Sequence, residues 1–146
     1  MRRKRETDRL SERGVDRRMQ MARTASLGFG ALAGFQLALA AGAPWGELAW
    51  GGAGGSGVLP ARLRLASALS AAVWVGAGRV VLVRAAGRGY ERTTVCLAAL
   101  LMLGSAMNAV SPSRAEARLW TPVSLVLAAL TAAIAHGQPT RRRRWG

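Results

Sequence analysis

Four stretches of the chain are apolar on every side, and short polar segments separate them. They extend over about residues 24–43, 65–83, 93–110 and 119–136. A helix at the surface of a soluble protein would instead carry one charged face. A helix of roughly 20 apolar residues crosses the hydrocarbon layer of a membrane, so the pattern predicts an all-α protein folded as a four-helix transmembrane bundle.

The first stretch has an alternative interpretation. A basic segment precedes it, and Ala-Gly-Ala ends it at Ala43, which is the arrangement of a secretory signal peptide. The segment of residues 1–23 is long for a signal peptide, and the apolar stretch behind it is long as well. Three further apolar stretches follow, so we expect a membrane-embedded protein under either interpretation.

Short sequence motifs predict where helices end and begin around the third connection. Pro112 disfavours helix at the residue before it and so ends the third span. Ser113 and Glu116 have the spacing of a capping box, which predicts a short helical turn at the surface. Thr121 followed by Pro122 predicts a new helix start, with the threonine as its cap.

Charge then predicts the orientation. The chain has 21 basic and 7 acidic residues, for a formal net charge of +14. Nine basic residues precede the first span, four surround the second connection and four follow the last span, whereas only Arg62, Arg64, Arg114 and Arg118 lie on the other side. Basic residues accumulate on the cytoplasmic side, so both termini are expected there.

The same distribution divides the chain into three parts. Residues 1–23 and 137–146 are expected to be basic cytoplasmic tails, the first of them mobile with at most a short surface helix. Residues 24–136 form the membrane domain. Anionic lipid headgroups are the nearest partner for basic residues beside a membrane, rather than nucleic acid. The residues expected to contact headgroups are Arg79, Arg84, Arg141, Arg142, Arg143 and Arg144.

Small residues four apart suggest how the helices pack, because close approach replaces the hydrophobic effect as the source of association in lipid. The first span offers Gly30 and Gly34, as a seam within the chain or between two copies. The second offers Ala72 and Gly76, and the fourth offers Ala128 among others.

Polar residues collect in the outer halves of the spans and in the first connection. A polar group inside a membrane is a site hypothesis by default. We therefore consider an outward-facing pocket for a lipid headgroup, an isoprenoid or a small amphiphile. Its floor would be Gln36 and Asn108, its lid Trp45, Glu47 and Trp50, and its rim Arg62 and Arg114.

A structural interpretation of the same residues is simpler, and the residue types favour it. Glu47 would pair with Arg62 or Arg114 and so tie down the first connection. The tryptophans would be interfacial anchors. Gln36 and Asn108 would form hydrogen bonds between helices.

Several classes of protein are disfavoured by what the sequence lacks. Cys96 is the only cysteine, so no internal disulfide or Cys-x-x-Cys redox centre is possible. His136 has no cysteine or acid at ligand spacing, and we expect no metal and no cofactor. The first span holds no acid for proton exchange of the small multidrug exporter type. No Asp cluster, HExxH, GxSxG or phosphate-binding loop occurs, so we assign no catalytic residue.

Four segments carry a resemblance: Pro44–Gly52, Val58–Arg64, Met107–Glu116 and Leu119–Pro122. They are similar to segments of a group of small bacterial four-span integral membrane proteins of unassigned function. The resemblance covers about residues 25–136. It implies a bacterial inner membrane and four spans, and it implies no activity, ligand or catalytic residue.

These observations lead to three functional hypotheses. The first is a non-enzymatic accessory component that binds a lipid or small amphiphile beneath the polar cap around Glu47. The second is a small transporter that works as an oligomer, although the strong charge bias argues against dual orientation. The third is a membrane enzyme that acts on a lipid through Glu47. A membrane-protein partner or a second copy of the chain is compatible with all three.

Overall fold

The computed structural model describes the backbone of residues 2–137 and the side chains of residues 12–137. Within that part of the chain, every regular element is helical. The four long helices are α1 (Arg2–Ala41), α2 (Ala61–Ala85), α3 (Glu91–Ala109) and α4 (Arg114–His136). Two short 3₁₀ turns, Gly46–Leu48 and Trp50–Gly52, lie in the first connection.

Each of the four helices is long and apolar enough to cross a membrane. Their outer faces are covered with large apolar side chains, of which Leu27 and Leu69 are 77% and 65% exposed. Such a continuous apolar exterior is unfavourable in water and favourable in lipid. The predicted fold class, a four-helix transmembrane bundle, is confirmed.

The bundle consists of two helical hairpins. α1 packs along α2, and α3 packs along α4, whereas the hairpins meet mainly through α1 and α4. The centre of the core is Phe29, which is fully buried and stacks on Trp74 with ring centroids 5.9 Å apart. We call the end of the bundle that carries residues 42–60 and 110–113 the loop end. The other end, with the α2–α3 turn, is the terminal end.

α1 is a continuous helix where the sequence analysis expected a tail with at most a short helix. Gly14 does not interrupt it. The reason lies in tertiary packing: Arg18 and Ala22 are buried, so this part of α1 is held against the bundle well before residue 24. Packing of one face overrides the weak propensity of the segment. At the other end, Gly42 stops the helix with φ +103°.

α4 is also continuous, and the predicted restart at Thr121 is wrong. Ser113 does cap the helix, since its Oγ accepts a hydrogen bond from the Glu116 N–H at 3.2 Å. Pro122 then lies inside the helix. It removes one backbone hydrogen bond, which neighbouring polar groups in a bundle can compensate. The carbonyl that loses its donor is that of Arg118, four residues before Pro122. Separately, Ser105 Oγ donates to the Thr121 carbonyl at 3.0 Å and links α3 to α4.

The predicted glycine seam is wrong as well. Gly30, Gly34 and Gly76 lie on outer faces, and a Cβ added to any of them would meet nothing within 4 Å. Because successive helical residues are about 100° apart, placing Phe29 in the core turns Gly30 away from α2. The close approaches occur at Gly28, beside Leu127, and at Gly78, beside Ser26. A contact of Gly30 and Gly34 with a second copy stays a prediction.

Two buried arginines hold the terminal end together. Arg18 Nη2 donates to the carbonyls of Arg84 and Ile134, both at 3.1 Å, and Arg84 Nη2 donates to the Ala135 carbonyl at 3.0 Å. These carbonyls lie at the C-terminal ends of α2 and α4, where carbonyls lack partners within the helix and carry partial negative charge. We call Arg18 and Arg84 the arginine clamp.

The clamp changes the interpretation of Arg84. The sequence analysis placed its guanidinium at lipid headgroups, but the residue is 4% exposed and its side chain points into the bundle. The last turn of a helix favours a cation that bonds nearby carbonyls, and the carbonyls at the end of α4 meet this requirement. Arg84 also lies 3.5 Å from the largely exposed carboxylate of Glu91.

Candidate functional site

A cleft of about 470 Å³ lies between the two hairpins at the loop end. α3 lines one wall and α4 another, while α1 and α2 contribute fewer residues. The opening is apolar: Leu100 and Met107, both on α3, are each 64% exposed. The volume is within the range of about 300–1,000 Å³ that is typical of small-molecule sites.

The first connection forms the roof of the cleft. Its two halves are drawn together by the Gly46 N–H, which donates to the Gly57 carbonyl at 3.1 Å. Gly46 is buried, and a Cβ on it would lie 2.5 Å from the Cα of Gly54. Only glycine allows the two backbone segments of this loop to approach so closely.

Trp50 connects the roof to α2. Its φ of 57° is in the left-handed region, which is uncommon for a residue with a side chain. The indole Nε1 donates to Ser67 Oγ on α2 at 3.1 Å, and Ser67 is fully buried. Strained backbone of this kind persists where surrounding contacts hold it in place. The following residue, Gly51, is turned toward α4.

The side chain of Glu116, in the first turn of α4, binds the roof of the cleft. Its Oε2 accepts hydrogen bonds from the Gly51 N–H at 2.9 Å and from the Ser111 hydroxyl. The residue is 8% exposed and lines the cleft. Among the described side chains, the ion pair present joins Arg84 to Glu91 at the opposite end, so no described arginine neutralises this carboxylate. Both described hydrogen bonds go to Oε2, which leaves Oε1 free to accept another.

Further polar atoms line the same space. Gln36 Oε1 is buried and has no hydrogen-bond donor among the described residues. Asn108 Nδ2 donates to Ser124 Oγ across α3 and α4, at a long 3.4 Å. Gln36 Oε1 is therefore a buried acceptor without a donor at the cleft, and such an acceptor is costly.

Tryptophans supply much of the remaining wall. Trp50, Trp74 and Trp120 all line the cleft. Trp120 Nε1 donates to the Leu48 carbonyl at 2.6 Å, so its ring also anchors the roof. The Trp120 ring packs on Phe35 with centroids 4.7 Å apart, and Trp74 is fixed by its stack on Phe29. These rings are held in place by the fold itself.

The structure brings together three of the residues that the sequence analysis selected. Gln36, Trp50 and Asn108 line the cleft. Trp45 does not; its ring stacks on Phe35, with centroids 6.0 Å apart. Glu47 is exposed and lies outside the cleft, where only its backbone carbonyl is engaged, by the hydroxyl of Ser113.

The proposed basic rim is absent from the cleft. Arg62 and Arg114 are exposed, and neither pairs with Glu47 in the described structure. Arg64 is instead the arginine that holds the chain at this end, since its Nε donates to the Ala40 carbonyl at 2.9 Å. The first connection was expected to be held by an ion pair of Glu47. It is held instead by hydrogen bonds within its own backbone, such as the bond from the Gly46 N–H to the Gly57 carbonyl.

The predicted headgroup contacts fall into three groups. Arg79 is exposed on the outer face of α2, where contact with lipid headgroups stays a prediction. Arg84 belongs to the arginine clamp. Arg141, Arg142, Arg143 and Arg144 lie outside the described residues. Within the described chain, no group of three or more His, Cys, Asp or Glu side chains is arranged to hold a metal ion.

Glu116 is the residue that sequence reasoning missed. Its spacing from Ser113 explained it as part of a capping box, and that explanation removed it from the candidates. In the structure, Ser113 performs its part of the box, but the Glu116 side chain turns to Gly51 and Ser111. The available signal was its position: it is an acid four residues before a tryptophan at the mouth of a span.

Comparison with known proteins returned no matching family model, no matching curated protein and no matching solved structure. The resemblance to small bacterial four-span proteins therefore depends on the quoted segments alone. Its structural part, four helices able to span a membrane, agrees with the fold.

Proposed function

We propose that this protein is a non-enzymatic membrane component that binds a small amphiphile in the cleft between its hairpins. The observation that carries the proposal is the cleft itself, about 470 Å³ in volume, with apolar walls at its opening and a buried carboxylate at its roof. An apolar pocket with a few convergent polar groups is typical of a ligand site.

The position of the opening supports an amphiphile rather than a water-soluble ligand. Leu100 and Met107 lie on the exposed apolar face of α3, a helix long and apolar enough to span a membrane, so the opening would face lipid. A ligand could enter sideways from the lipid, with its tail along α3 and its polar group toward Glu116. Trp120 and Trp50 would contact the boundary between the two parts, as indole rings commonly do at a membrane interface.

We propose further that the protein resides in a bacterial inner membrane with both termini in the cytoplasm. The support is the charge distribution described above, which concentrates basic residues at the terminal end. The cleft then opens in the outer half of the membrane. The transporter and enzyme hypotheses have no comparable observation in their favour, and Glu47, the residue that the enzyme hypothesis requires, lies outside the cleft.

Filling the cleft tests the proposal. Gly104 lines the cleft, and a Cβ built on it meets nothing within 4 Å, so Gly104→Leu can place its side chain in the empty space. Gly76→Leu is the matched control, because Gly76 is also a helical glycine without neighbours but lies on an outer face.

The measurement is native mass spectrometry of each protein, purified in mild detergent from the membrane in which it was expressed. We expect a discrete bound mass on the wild type and on Gly76→Leu, and its loss from Gly104→Leu with the fold retained. Wild-type protein without bound mass, or equal bound mass on both variants, would refute the proposed site.

A further inference from the structure

We infer that the cleft selects amphiphiles with a cationic, hydrogen-bond-donating headgroup, which it binds through the carboxylate of Glu116 and the side-chain carbonyl of Gln36. This inference rests on the proposed function, because it specifies the ligand of the same cleft. It is carried by the mismatch between a buried acid and its neutral surroundings.

The first step concerns charge. Glu116 is 8% exposed, and the donors that reach it, the Gly51 N–H and the Ser111 hydroxyl, are neutral. A buried carboxylate is normally paired with a cation, because its desolvation is costly. The described side chains supply no such cation at the cleft. A cationic headgroup would complete the pair.

The second step concerns hydrogen bonding. Gln36 Oε1 is buried without a donor, and Glu116 Oε1 receives no hydrogen bond from the described residues. Three of the donors that line the cleft are in use: Asn108 Nδ2 bonds to Ser124, and the indole N–H groups of Trp50 and Trp120 bond to α2 and to the roof. The two free oxygens favour a ligand that donates hydrogen bonds, and the carboxylate of Glu116 disfavours an anion.

The third step concerns the aromatic walls. Trp50, Trp74 and Trp120 line the cleft, and the face of an indole ring attracts a cation. Long-range electrostatics cannot be the source of this selectivity. With a formal net charge of +14, the protein as a whole repels cations and attracts anions. A preference for cations must therefore arise locally, and Glu116 is the local negative charge.

The test uses bromoalkyl probes with the same chain and different headgroups: a primary ammonium, a trimethylammonium, a hydroxyl and a sulfate. Bromine quenches tryptophan fluorescence on contact, so a probe in the cleft reports through the three lining tryptophans. The protein is reconstituted in nanodiscs of phosphatidylcholine. The variants are Glu116→Gln and Gln36→Leu, with Gly104→Leu as the blocked cleft.

We expect the two cationic probes to quench at lower concentration than the alcohol or the sulfate. Glu116→Gln should weaken the primary ammonium by about tenfold or more, since a charged hydrogen bond contributes about 1.5–3 kcal/mol. It should weaken the trimethylammonium less, through the lost charge attraction alone, and leave the alcohol unchanged. Gln36→Leu should weaken the primary ammonium more than the trimethylammonium, because only the former has N–H groups. The Gln36→Leu variant keeps the test valid if Glu116→Gln does not fold.

The outcomes separate the two proposals. If no probe quenches the wild type more than Gly104→Leu, the cleft is not a ligand site and the proposed function fails. If all headgroups bind alike and neither variant alters the order, an amphiphile site exists but its cation selectivity is refuted. A primary-ammonium lipid as the bound mass in native mass spectrometry would identify the membrane as the source. Binding of added cations alone would identify a source outside it.

Discussion

At the terminal end, Arg18 and Arg84 direct their guanidinium groups at backbone carbonyls, whereas at the loop end Glu116 receives hydrogen bonds from a backbone amide and a hydroxyl. The carbonyls at the terminal end belong to the last turns of α2 and α4, which carry partial negative charge. Each buried arginine is thus compensated by the fold. Glu116, in the first turn of α4, is stabilised by two neutral donors and by the partial positive charge of the helix N-terminus, and no cationic side chain pairs with it among the described residues.

In this small bundle, the terminal end therefore has a structural role, whereas the loop end has the features of a functional site. At the terminal end, the Nη2 atoms of both arginines bond to carbonyls at helix C-termini, where the helix dipole also favours a cation, although their Nε atoms have no acceptor among the described residues. The loop end combines a cleft, unsatisfied acceptors and a strained Trp50 backbone, which are features that functional sites commonly show. Stability should therefore depend most on the arginines, and ligand binding on Glu116.

The largest effect on stability should come from removing the guanidinium of Arg18. Arg18→Met keeps the aliphatic stem but removes the donor to the Ile134 carbonyl and one of the donors to the Arg84 carbonyl, which keeps its bond from the Gly87 N–H. We expect the free energy of unfolding to fall by about 3 kcal/mol, since hydrogen bonds to charged groups contribute roughly 1.5–3 kcal/mol each. Denaturation in detergent measures it. Arg17→Met, at the exposed neighbouring position, is the control; equal effects of the two would contradict the clamp.

A smaller loss of stability should follow at the loop end from Gly46→Ala. The added Cβ would lie 2.5 Å from the Cα of Gly54, a backbone atom that cannot move without opening the roof. Overpacking of this kind costs about 1–3 kcal/mol. Thermal unfolding measures the change. Gly30→Ala is the control, and it should leave stability unchanged or raise it by up to ~1 kcal/mol through helix propensity. Destabilisation by the control alone would overturn both assignments.

Ser67→Ala should have a more modest effect, confined to the roof. It removes the acceptor of the Trp50 indole N–H and leaves that donor without its partner. The expected loss is about 1 kcal/mol, with faster proteolysis of the first connection. Ser70→Ala is matched to it, because the Ser70 hydroxyl bonds to the Ala66 carbonyl of its own helix. The roof is not held by this hydrogen bond if both variants are cleaved at the wild-type rate.

The smallest effect should come from Glu91→Gln at the terminal end. Glu91 lies 3.5 Å from Arg84, but its side chain is 71% exposed, and ion pairs of that kind contribute about 0–1 kcal/mol. Thermal unfolding of Glu91→Gln beside Arg84→Met distinguishes the two roles of the arginine. We expect a clear loss only for Arg84→Met, which also removes the bond to the Ala135 carbonyl. A larger loss for Glu91→Gln would mean that the ion pair dominates.

The fold class could be predicted from the sequence because each membrane span is a local run of apolar residues. Apolar runs of the right length predicted all four helices. Ser113 was correctly identified as a helix cap, although it was assigned to a separate short turn rather than to α4. The sequence was insufficient for the faces of those helices. Gly30 and Gly34 have the right spacing for a seam, but in a chain rich in alanine and glycine the spacing recurs on every face. Only the packing of Phe29 determines which face turns inward.

The candidate site was predicted in part for a related reason. Gln36, Trp50 and Asn108 stood out as polar or aromatic residues beside apolar runs, and they do line the cleft. Glu47 stood out more strongly, as an acid between two tryptophans, and it lies outside. Whether an acid at a helix start faces solvent or a neighbour depends on a loop 65 residues away in sequence, Gly51 in the case of Glu116. A contact between residues so far apart in the chain cannot be predicted from the sequence around either of them.

The contact between Gly46 and Gly54 has a consequence for the variation that this protein tolerates. Loops usually accept substitutions and insertions more readily than the elements that they connect. Here the order should be inverted: the roof has no room for a single methyl group at Gly46, whereas the outer faces around Gly30, Gly34 and Gly76 are open. Across a collection of natural variants, the glycines of the first connection would be the slowest to change, and the membrane-facing helices the fastest.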